Sequence, residues 1–269
     1  MTDRLAILAG SGKLPQIIQS ANPDCAAISF AGVAHELQEP VHLHRFEQFG
    51  ALFDDLRNQG VTRIVMAGAM QRPQLDASAL DRFTAGILPD LTAAMMQGDD
   101  HLLRFLIAMI QDQGFRVLGA HEVVDGLTVP PGSICGNMSE VDQNNLARAD
   151  MILASLAPLD IGQAVVIEGG QALGIETLQG TEFMLDMVAK TSSKLRTKTG
   201  GILVKRPKPS QDLRADMPAI GPDTVDQVAD AGLSGIVISP GKVMLIDKDV
   251  IIARALARGI FIYAQDPSC

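Results

Sequence analysis

One stretch in the second half of the chain concentrates the charged residues that could act on a phosphate ester. It reads LVKRPKPSQDLRADMPAIGPD and covers residues 203–223. Because it contains four prolines, it cannot form a continuous helix or a central strand, so we expect a stiff loop. Cations here suit phosphate oxygens and carboxylates suit a metal ion or a water molecule, although a solvated surface loop has the same composition. The polar residues concerned are Lys205, Arg206, Lys208, Gln211, Asp212, Arg214, Asp216 and Asp223.

Three aspartates stand where helices are expected to begin, and two roles are open to them. Asp99 and Asp100 precede one apolar helical run, and Asp223 precedes another helical pattern. An aspartate at a helix start caps N–H groups and complements the helix dipole, which accounts for all three without any ligand. Asp100 could instead join Asp212 and Asp216 in holding Mg²⁺ or Mn²⁺, since such an ion takes oxygen ligands and usually bridges to substrate phosphates.

Two glycine-containing turns follow apolar segments that are typical of buried strands. The first, Gly10-Ser11-Gly12, leads into a helix, where unbonded N–H groups and the positive end of the dipole would favour an anion. It is neither a complete dinucleotide fingerprint nor a Walker loop, and a tight turn would also need glycine. The second turn begins at Gly68 and contains Arg72, which is either a ligand or a surface cation. Because ligands of parallel sheets sit at the carboxyl ends of strands, we expect both turns to face one crevice.

The composition limits the class of ligand. The chain has 269 residues, of which 47% are hydrophobic, and a net charge of −9, so we expect packed domains and no nucleic-acid partner. Its cations must act locally, which favours a small anionic ligand. The three cysteines and five histidines form no zinc pattern. Without a signal-peptide pattern or a bilayer-spanning apolar run, we expect a cytoplasmic protein, at most peripheral to the inner membrane.

The first half of the chain alternates strand and helix patterns. Continuous apolar segments predict buried strands at residues 4–9, 25–30, 63–67 and 115–118. Helical patterns cover residues 51–58, 76–97 and 99–113. Alternating elements with continuous apolar strands indicate a parallel sheet covered by helices. We predict a Rossmann-like α/β domain over residues 1–134.

The second half has a different pattern, with turn signals between short apolar segments. Gly169-Gly170 and Pro240-Gly241 each lie between two such segments, which predicts two hairpins. Helical patterns cover residues 140–156, 183–189, 224–231 and 250–258. We predict a mixed α+β catalytic domain over residues 135–269, which closes with the first domain over the ligand.

Several motifs together resemble those of a known bacterial family. They are LAILAGSGKLP at residues 5–15, GDDHLLR at 98–104, GQAVVIEGG at 162–170, GTEFML at 180–185 and the stretch at 203–223. The chain is similar to the UDP-2,3-diacylglucosamine pyrophosphatases of lipid A biosynthesis, of the type unrelated to calcineurin-like phosphoesterases. The resemblance extends from near the first residue to Tyr263, and its specificity comes from the number and order of the motifs.

The resemblance implies an activity and assigns roles to residues. Water would attack the phosphorus nearer the sugar of UDP-2,3-diacylglucosamine, giving UMP and 2,3-diacylglucosamine 1-phosphate (lipid X). In this family the aspartate of P-x-I-G-P-[DE]-T is needed for activity, and it corresponds to Asp223, as a base, a water-orienting group or a metal ligand. The expected substrate contacts are Gly10, Ser11, Gly12, Gly68, Arg72, Gly170, Thr181, Lys205, Lys208, Gln211 and Arg214.

The same resemblance indicates what the protein binds. The cofactor would be Mg²⁺ or Mn²⁺, and the partners would be the nucleotide sugar, lipid X and a second copy of the chain in a homodimer. The acyl chains need an apolar chamber, which we expect between the domains. Methionines that could line it, or pack in an ordinary core, are Met66, Met70, Met95, Met96 and Met109.

Two other functions remain open on the residues alone. A nucleotide-sugar oxidoreductase could be built on the strand and the G-x-G turn, although Pro15 replaces the third glycine of the fingerprint. A non-catalytic sensor could bind a nucleotide sugar or a lipid phosphate in the same crevice. Release of UMP would distinguish hydrolysis from both.

Overall fold

The computed structural model describes residues 3–71, 73–197, 199–209 and 211–267. Two compact units make up the chain: the first is Met1–Asp125 with Asp212–Asp216, and the second is Gly126–Gln211 with Met217–Cys269. The loop at residues 203–223 therefore contributes to both units. The division into domains 1–134 and 135–269 stays a prediction.

The first unit is built on a parallel sheet in the order β3-β2-β1-β4-β5. Its strands are Arg4–Ala9 (β1), Ala26–Phe30 (β2), His42–His44 (β3), Val61–Ala67 (β4) and Arg116–Leu118 (β5). In the register of the sheet, Ile7 lies between Ala27 and Val65. Strands β1 and β2 are buried along almost their whole length, as expected of a sheet covered by helices. The predicted parallel α/β sheet is confirmed, and the edge strand β3 was not predicted.

Helices of the first unit pack their apolar faces on this sheet. They are Leu14–Ala21 (α1), Phe49–Asn58 (α2), Arg82–Met96 (α3), Asp99–Asp112 (α4) and Ala120–Val123 (α5). Phe53 and Leu56 of α2 belong to the same buried cluster as Ile64 of β4. Helix α3 begins later than predicted, because Asp81 caps it by accepting a hydrogen bond from the Thr84 N–H at 2.7 Å.

The second unit contains a mixed sheet in the order β6-β13-β11-β9-β7-β8. Its strands are Gly132–Cys135 (β6), Ala164–Glu168 (β7), Gln171–Ile175 (β8), Gly201–Lys205 (β9), Gly235–Ile238 (β11) and Phe261–Ala264 (β13). Strands β9, β11 and β13 are parallel, whereas β6, β7 and β8 each run antiparallel to a neighbour. A separate parallel pair joins Ala219–Ile220 (β10) to Met244–Leu245 (β12). The predicted mixed α+β architecture is confirmed.

Helices cover both faces of the mixed sheet. They are Glu140–Leu156 (α6), Gly180–Ala189 (α7), Pro222–Asp230 (α8) and Lys248–Arg258 (α9). Leu203 of β9 packs in the cluster that contains residues of α7, α8 and α9. Its neighbours Ile202 and Val204 pack in the cluster that contains Leu146 of α6. Side chains of a strand alternate between faces, so this strand is apolar on both sides.

One predicted hairpin is confirmed and the other is wrong. Strands β7 and β8 pair antiparallel around Gly169 and Gly170, whose positive φ values of 56° and 76° suit glycine in such a turn. The segments around Pro240-Gly241 do not pair with each other. Strand β11 instead lies between β9 and β13, and β12 pairs with β10. A turn signal identifies where the chain bends, but it does not determine which strands become partners.

Among the described residues, no helix is both long and apolar enough to cross a membrane.

Candidate functional site

An apolar cavity of about 440 Å³ lies within the first unit. Leu8, Phe30 and Met66 line it from the carboxyl-terminal parts of β1, β2 and β4, which is where parallel sheets bind ligands. Its other apolar walls come mainly from α2, α3 and α4, through Phe49, Leu52, Phe53, Leu91, Met95, Leu102, Leu106 and Met109. Helix residues that face the sheet therefore leave a space that no side chain fills.

Methionines contribute to this cavity as the sequence indicated, with one exception. Met66, Met70, Met95 and Met109 line it. Met96, the last residue of α3, is 84% exposed and belongs to neither the cavity nor the core, so its predicted role is wrong. The residues that line this cavity belong to the first unit alone, and an acyl chamber between the domains stays a prediction.

The two glycine turns meet at the edge of the cavity, as predicted. Ser11 and Ala69 exchange backbone hydrogen bonds of 2.8 and 3.0 Å, and Gly10 donates to the carbonyl of Ala67 at 2.8 Å. A side chain at Gly10 would place its Cβ only 2.4 Å from the Ala69 oxygen, and one at Gly68 would clash with Ser11. Glycine is thus required because the two backbones touch.

This contact corrects the physical reason given for an anion site at the first turn. The N–H groups of Gly10 and Ser11 are used by the second turn, so they cannot cradle a phosphate. Ser11 also donates its hydroxyl proton to the Ala69 carbonyl at 3.1 Å. Gly12, with φ of 93°, has open space around its Cα. Substrate contact by these residues stays a prediction.

A second cavity, of about 800 Å³, lies beside the first and shares part of its wall. Both are lined by Phe46, Met70, Gln71 and Pro73. The second also has polar lining residues, including Ser11, Arg45, Glu47 and Gln74. Arg72, predicted to contact the substrate, lies outside the described residues. The first unit therefore places an apolar space next to a more polar one.

Two of the predicted metal ligands, Asp100 and Asp212, form ion pairs with arginines. Asp100 lies in the first turn of α4, after the N-cap residue Gly98, and forms an ion pair with Arg104 at 2.9 Å. Asp212 pairs with Arg214 at 2.7 Å, and this hydrogen bond, with the nearby Arg104 charge, lowers the pKa of Asp212. Neither Asp99 nor Asp100 is the N-cap of α4, which is Gly98, but both lie in its first turn, where they complement the helix dipole as expected.

The carboxylates nearest the apolar cavity are those of Asp99 and Asp216, which line it. In the described portion of the chain, no group of three His, Cys, Asp or Glu residues is arranged to hold a metal ion. The available donors are carboxylate oxygens, which match Mg²⁺ in type but fall short of a complete coordination shell. Such a set fits an ion that takes its remaining ligands from water and substrate phosphates.

In the second unit, Lys205 ends strand β9 as a buried cation. Lys205 is only 6% exposed, and its Nζ donates to Thr181 Oγ1 at 2.7 Å. The Thr181 hydroxyl in turn donates to Glu176 Oε1 at 2.9 Å. Glu176 is also buried, and its other oxygen accepts the Gln163 N–H at 3.2 Å. The structure thus brings the predicted residues Lys205 and Thr181 into direct contact, and behind Thr181 it places the carboxylate of Glu176, which was not among the predicted substrate-binding residues.

Lys208 and Gln211 continue the polar network beyond β9. The Lys208 N–H donates to Gln211 Oε1 at 3.0 Å, and the Gln211 amide donates to Gln163 Oε1 at 3.3 Å. The Lys208 ammonium pairs with the exposed Asp160 at 2.6 Å. Thr181, Lys205, Lys208 and Gln211 therefore form one connected set in the second unit.

The side chain of Arg206, between the two lysines, points to other partners, although its backbone N–H donates to the Gln163 carbonyl. It forms a buried ion pair with Asp150 of α6 at 3.0 Å, and desolvation by burial lowers its pKa despite that partner. It also donates to Ser239 Oγ at 3.3 Å. The pair fixes the start of the loop after β9. Asp150 carries no sequence signal for this role, because only the packing of α6 on β9 brings it to Arg206.

Gly170 is not brought near Lys205. Strand β7 runs antiparallel to β9, so Ala164 pairs with Lys205 while Glu168 pairs with Gly201 at the opposite end. Gly170 follows Glu168 and donates its N–H to Asn145 Oδ1 at 3.0 Å. Its predicted contact with the substrate therefore has no support from the position of Lys205.

Asp223 lies in the first turn of α8, and it does not cap that helix. The N-cap is Gly221, whose N–H donates to Thr224 Oγ1 at 3.3 Å. The Asp223 side chain is 92% exposed and accepts a hydrogen bond from Arg254 at 3.0 Å. The alternative that Asp223 is present as a cap is wrong. Asp212 and Asp216 belong to the first unit and Asp223 to the second, and the expected proximity of the three carboxylates stays a prediction.

Comparisons with known proteins agree with the motif resemblance. Residues 4–127 match the family model of the LpxI N-terminal domain, and residues 130–263 match that of the LpxI C-terminal domain. A protein from Caulobacter vibrioides, described as UDP-2,3-diacylglucosamine pyrophosphatase LpxI, is 33% identical over 276 residues. That similarity covers 98% of this chain and 98% of the relative. With both domain models matched in order over nearly its whole length, the chain belongs to the LpxI family.

Proposed function

We propose that this protein is a UDP-2,3-diacylglucosamine pyrophosphatase of lipid A biosynthesis. The observation that carries the proposal is the apolar cavity of about 440 Å³, which shares a wall with a more polar cavity. An amphiphilic nucleotide sugar needs both kinds of surface close together. Membership of the LpxI family, and similarity to a relative described by this activity, support the same substrate.

The reaction is hydrolysis of the pyrophosphate bond. A water oxygen bonds to the phosphorus nearer the sugar, the bond from that phosphorus to the bridging oxygen breaks, and the bridging oxygen leaves with UMP. The other product is 2,3-diacylglucosamine 1-phosphate, which retains the water oxygen. Catalysis of this kind depends mainly on positioning and on neutralising phosphate charge. The acyl chains occupy the apolar cavity, whose size is in the range of about 300–1,000 Å³ typical of ligand pockets.

Charged residues of both units have complementary roles in this proposal. Lys205, Lys208 and Arg214 bind phosphate oxygens. Lys208 must then release Asp160 to bind the substrate, and Arg214 must contact the substrate as well as Asp212. Asp223 orients or deprotonates the attacking water. Its high exposure and its single described partner, Arg254, leave its carboxylate accessible to a substrate.

A divalent metal, Mg²⁺ or Mn²⁺, completes the proposal. It would neutralise charge on the pyrophosphate. Asp100, Asp212 and Asp216 are the candidate ligands, of which no more than two would bind the ion together, with water and substrate oxygens supplying the other ligands. Since the substrate carries two acyl chains, we also propose a cytoplasmic enzyme that works at the inner membrane, and a homodimer as its assembled form.

The test is direct. Purified protein is incubated with UDP-2,3-diacylglucosamine and Mg²⁺, and released UMP and lipid X are quantified. Equal amounts of both products support the proposal. Binding of the substrate without UMP release would indicate a sensor, and consumption of a nicotinamide cofactor would indicate an oxidoreductase.

A further inference from the structure

We propose that Glu176, through Thr181, is a positioning residue that holds the Lys205 ammonium ready to bind a phosphate of the substrate. This inference rests on the proposed function, because it deepens the role of one cation in that reaction. It concerns the chain of contacts Lys205 Nζ to Thr181 Oγ1 to Glu176 Oε1, with distances of 2.7 and 2.9 Å.

The direction of these hydrogen bonds determines how Thr181 holds the Lys205 ammonium. A hydroxyl has one proton to donate, and Thr181 gives it to the carboxylate of Glu176. The lone pairs of the hydroxyl oxygen are therefore presented to Lys205, which donates to them. Without an acceptor at Glu176, the hydroxyl proton could turn toward the ammonium and the contact would be lost. Glu176 thus makes Thr181 an acceptor and also balances a buried positive charge.

The fold holds Glu176 rigidly in this position. Its backbone N–H donates to the Ala164 carbonyl at 2.9 Å, and Ala164 is the register partner of Lys205. Its Oε2 accepts the Gln163 N–H at 3.2 Å. Gly162, with φ of 60°, packs so closely that a Cβ there would lie 2.1 Å from the Glu176 oxygen. Three consecutive residues, at positions 162–164, therefore fix both the backbone and the carboxylate of Glu176 relative to the end of β9.

A second arm of the network reaches the next lysine. Gln163, which anchors Glu176, accepts the Arg206 N–H through its carbonyl at 2.8 Å and the Gln211 amide through its side chain at 3.3 Å. Gln211 accepts the Lys208 N–H at 3.0 Å. The carboxylate at position 176 is thus connected both to the ammonium of Lys205 and to the backbone that carries Lys208.

The same two strands supply a matched control at their other end. Glu168 is 2% exposed and accepts from Thr197 Oγ1 at 3.1 Å and from Arg196. Carboxylate, threonine and cation are thus also combined at the Gly201 end of β9, but there threonine and cation each donate directly to the carboxylate. Thr197→Val removes a part-buried threonine–carboxylate hydrogen bond without touching Lys205.

The experiment is a mutant cycle on the full-length protein, with UMP release from UDP-2,3-diacylglucosamine as the readout. We expect Thr181→Val and Glu176→Gln each to lower kcat/KM about tenfold, since each breaks a hydrogen bond to a charged group. The double variant should lose no more than either single variant. In a Lys205→Met background, neither change should lower kcat/KM further by more than about twofold.

Controls separate positioning from stability. Thr181→Ser should recover most of the activity lost in Thr181→Val, because serine restores the hydroxyl. Thr197→Val should lower Tm while kcat/KM stays within about twofold of wild type. If the Lys205→Met background is too slow to assay, the same substitutions are made in an Asp223→Ala background, where the substrate is not cleaved. The substrate dissociation constant is then measured in place of kcat/KM.

The outcomes distinguish the two levels of the proposal. Losses that disappear in the Lys205→Met background support the relay. Losses that persist there, or a Thr181→Val variant with normal turnover, overturn the relay and leave the hydrolase intact. A wild-type protein that releases no UMP overturns the proposed function, and the relay with it.

Discussion

The carboxyl ends of β4 and β9 show how differently the two units use parallel strands. Beyond β4, the chain joins the first glycine turn through backbone hydrogen bonds, next to an apolar cavity lined by phenylalanine, leucine and methionine. Beyond β9, side chains make the contacts: Lys205 donates to Thr181, and Arg206 pairs with Asp150 in a buried site. The first arrangement suits the acyl portion of a substrate and the second suits its phosphates.

This difference assigns separate energetic tasks to the two units. An apolar cavity recognises chain length through buried area, with a gain of about 0.8 kcal/mol for each CH₂ group. Buried and paired cations recognise charge, and their contribution depends on exact positions. Changes in the first unit should therefore alter substrate preference, whereas changes at the charged groups should alter turnover.

The largest expected effect is that of metal removal. Treatment with a chelator should abolish UMP release, and Mg²⁺ or Mn²⁺ should restore it, because the pyrophosphate charge would otherwise be unneutralised. Asp212→Asn should raise the Mg²⁺ concentration needed for half-maximal activity. Asp54→Asn, which removes an exposed partner of Arg57 in the same unit, serves as the control. Full activity in chelator would refute the metal requirement.

Loss of Asp223 should be nearly as severe. Asp223→Ala is expected to lower kcat about a hundredfold or more, the usual cost of removing a catalytic acid–base group. Since the residue is exposed and is not the N-cap, the free energy of unfolding should change by less than about 1 kcal/mol. The measurements are UMP release, substrate affinity and thermal unfolding.

Asp226→Asn is the matched control for Asp223, because Asp226 contacts the same Arg254 from the same helix. If Asp223 serves only to hold Arg254, both variants should have similar activity. If it acts in catalysis, Asp223→Ala alone should be inactive.

A change within the apolar cavity should have an intermediate and selective effect. Leu106→Trp would fill part of the space, so kcat/KM should fall at least about tenfold for long-chain substrate and much less for a short-chain analogue. Overpacking would also cost about 1–3 kcal/mol of stability. Met187→Trp, at an exposed position of α7, is the control. An equal loss on both substrates would show that this cavity does not hold the acyl chains.

The sequence predicted those features that depend on local patterns. Continuous apolar segments identified β1 and β4, and the rule for carboxyl ends of parallel strands correctly brought Ser11 to Ala69. Glycine at position 10 was predicted to serve an anion, but it is needed because the Ala69 oxygen is too close for any side chain. A glycine pattern reports that space is limited and does not tell which group occupies that space.

The sequence did not predict features that depend on pairing between segments far apart in the chain. Ala164 of β7 is the register partner of Lys205, and its carbonyl also accepts the Glu176 N–H. Glu176 lies near Lys205 for this reason, and no spacing in the sequence encodes that register. Likewise, nothing in the sequence of residues 203–223 indicates that Asp212–Asp216 belongs to the first unit and its flanks to the second.

The smallest expected effect concerns the Asp212–Arg214 pair within the segment Asp212–Asp216. The hydrogen bond from Arg214 lowers the pKa of Asp212, so the folded state favours the carboxylate more than the unfolded state does. Its stabilisation is therefore complete above the unfolded pKa of about 3.9 and is lost as the pH falls through the lower folded value. The pair is partly exposed, so it should contribute less than about 1 kcal/mol.

Thermal unfolding of wild type and Asp212→Asn across pH tests this sign. The variant should have a slightly lower Tm near about pH 7, and the two curves should converge as the pH falls through the lowered pKa of folded Asp212, where the wild-type carboxyl also becomes neutral. Asp54→Asn again provides the control, since its Arg57 partner is on the surface of α2. A difference in Tm that grows toward acidic pH would mean that Asp212 is stabilised as the neutral acid, and the segment would then need another anchor, such as the packing of Ala215 against the first unit's core.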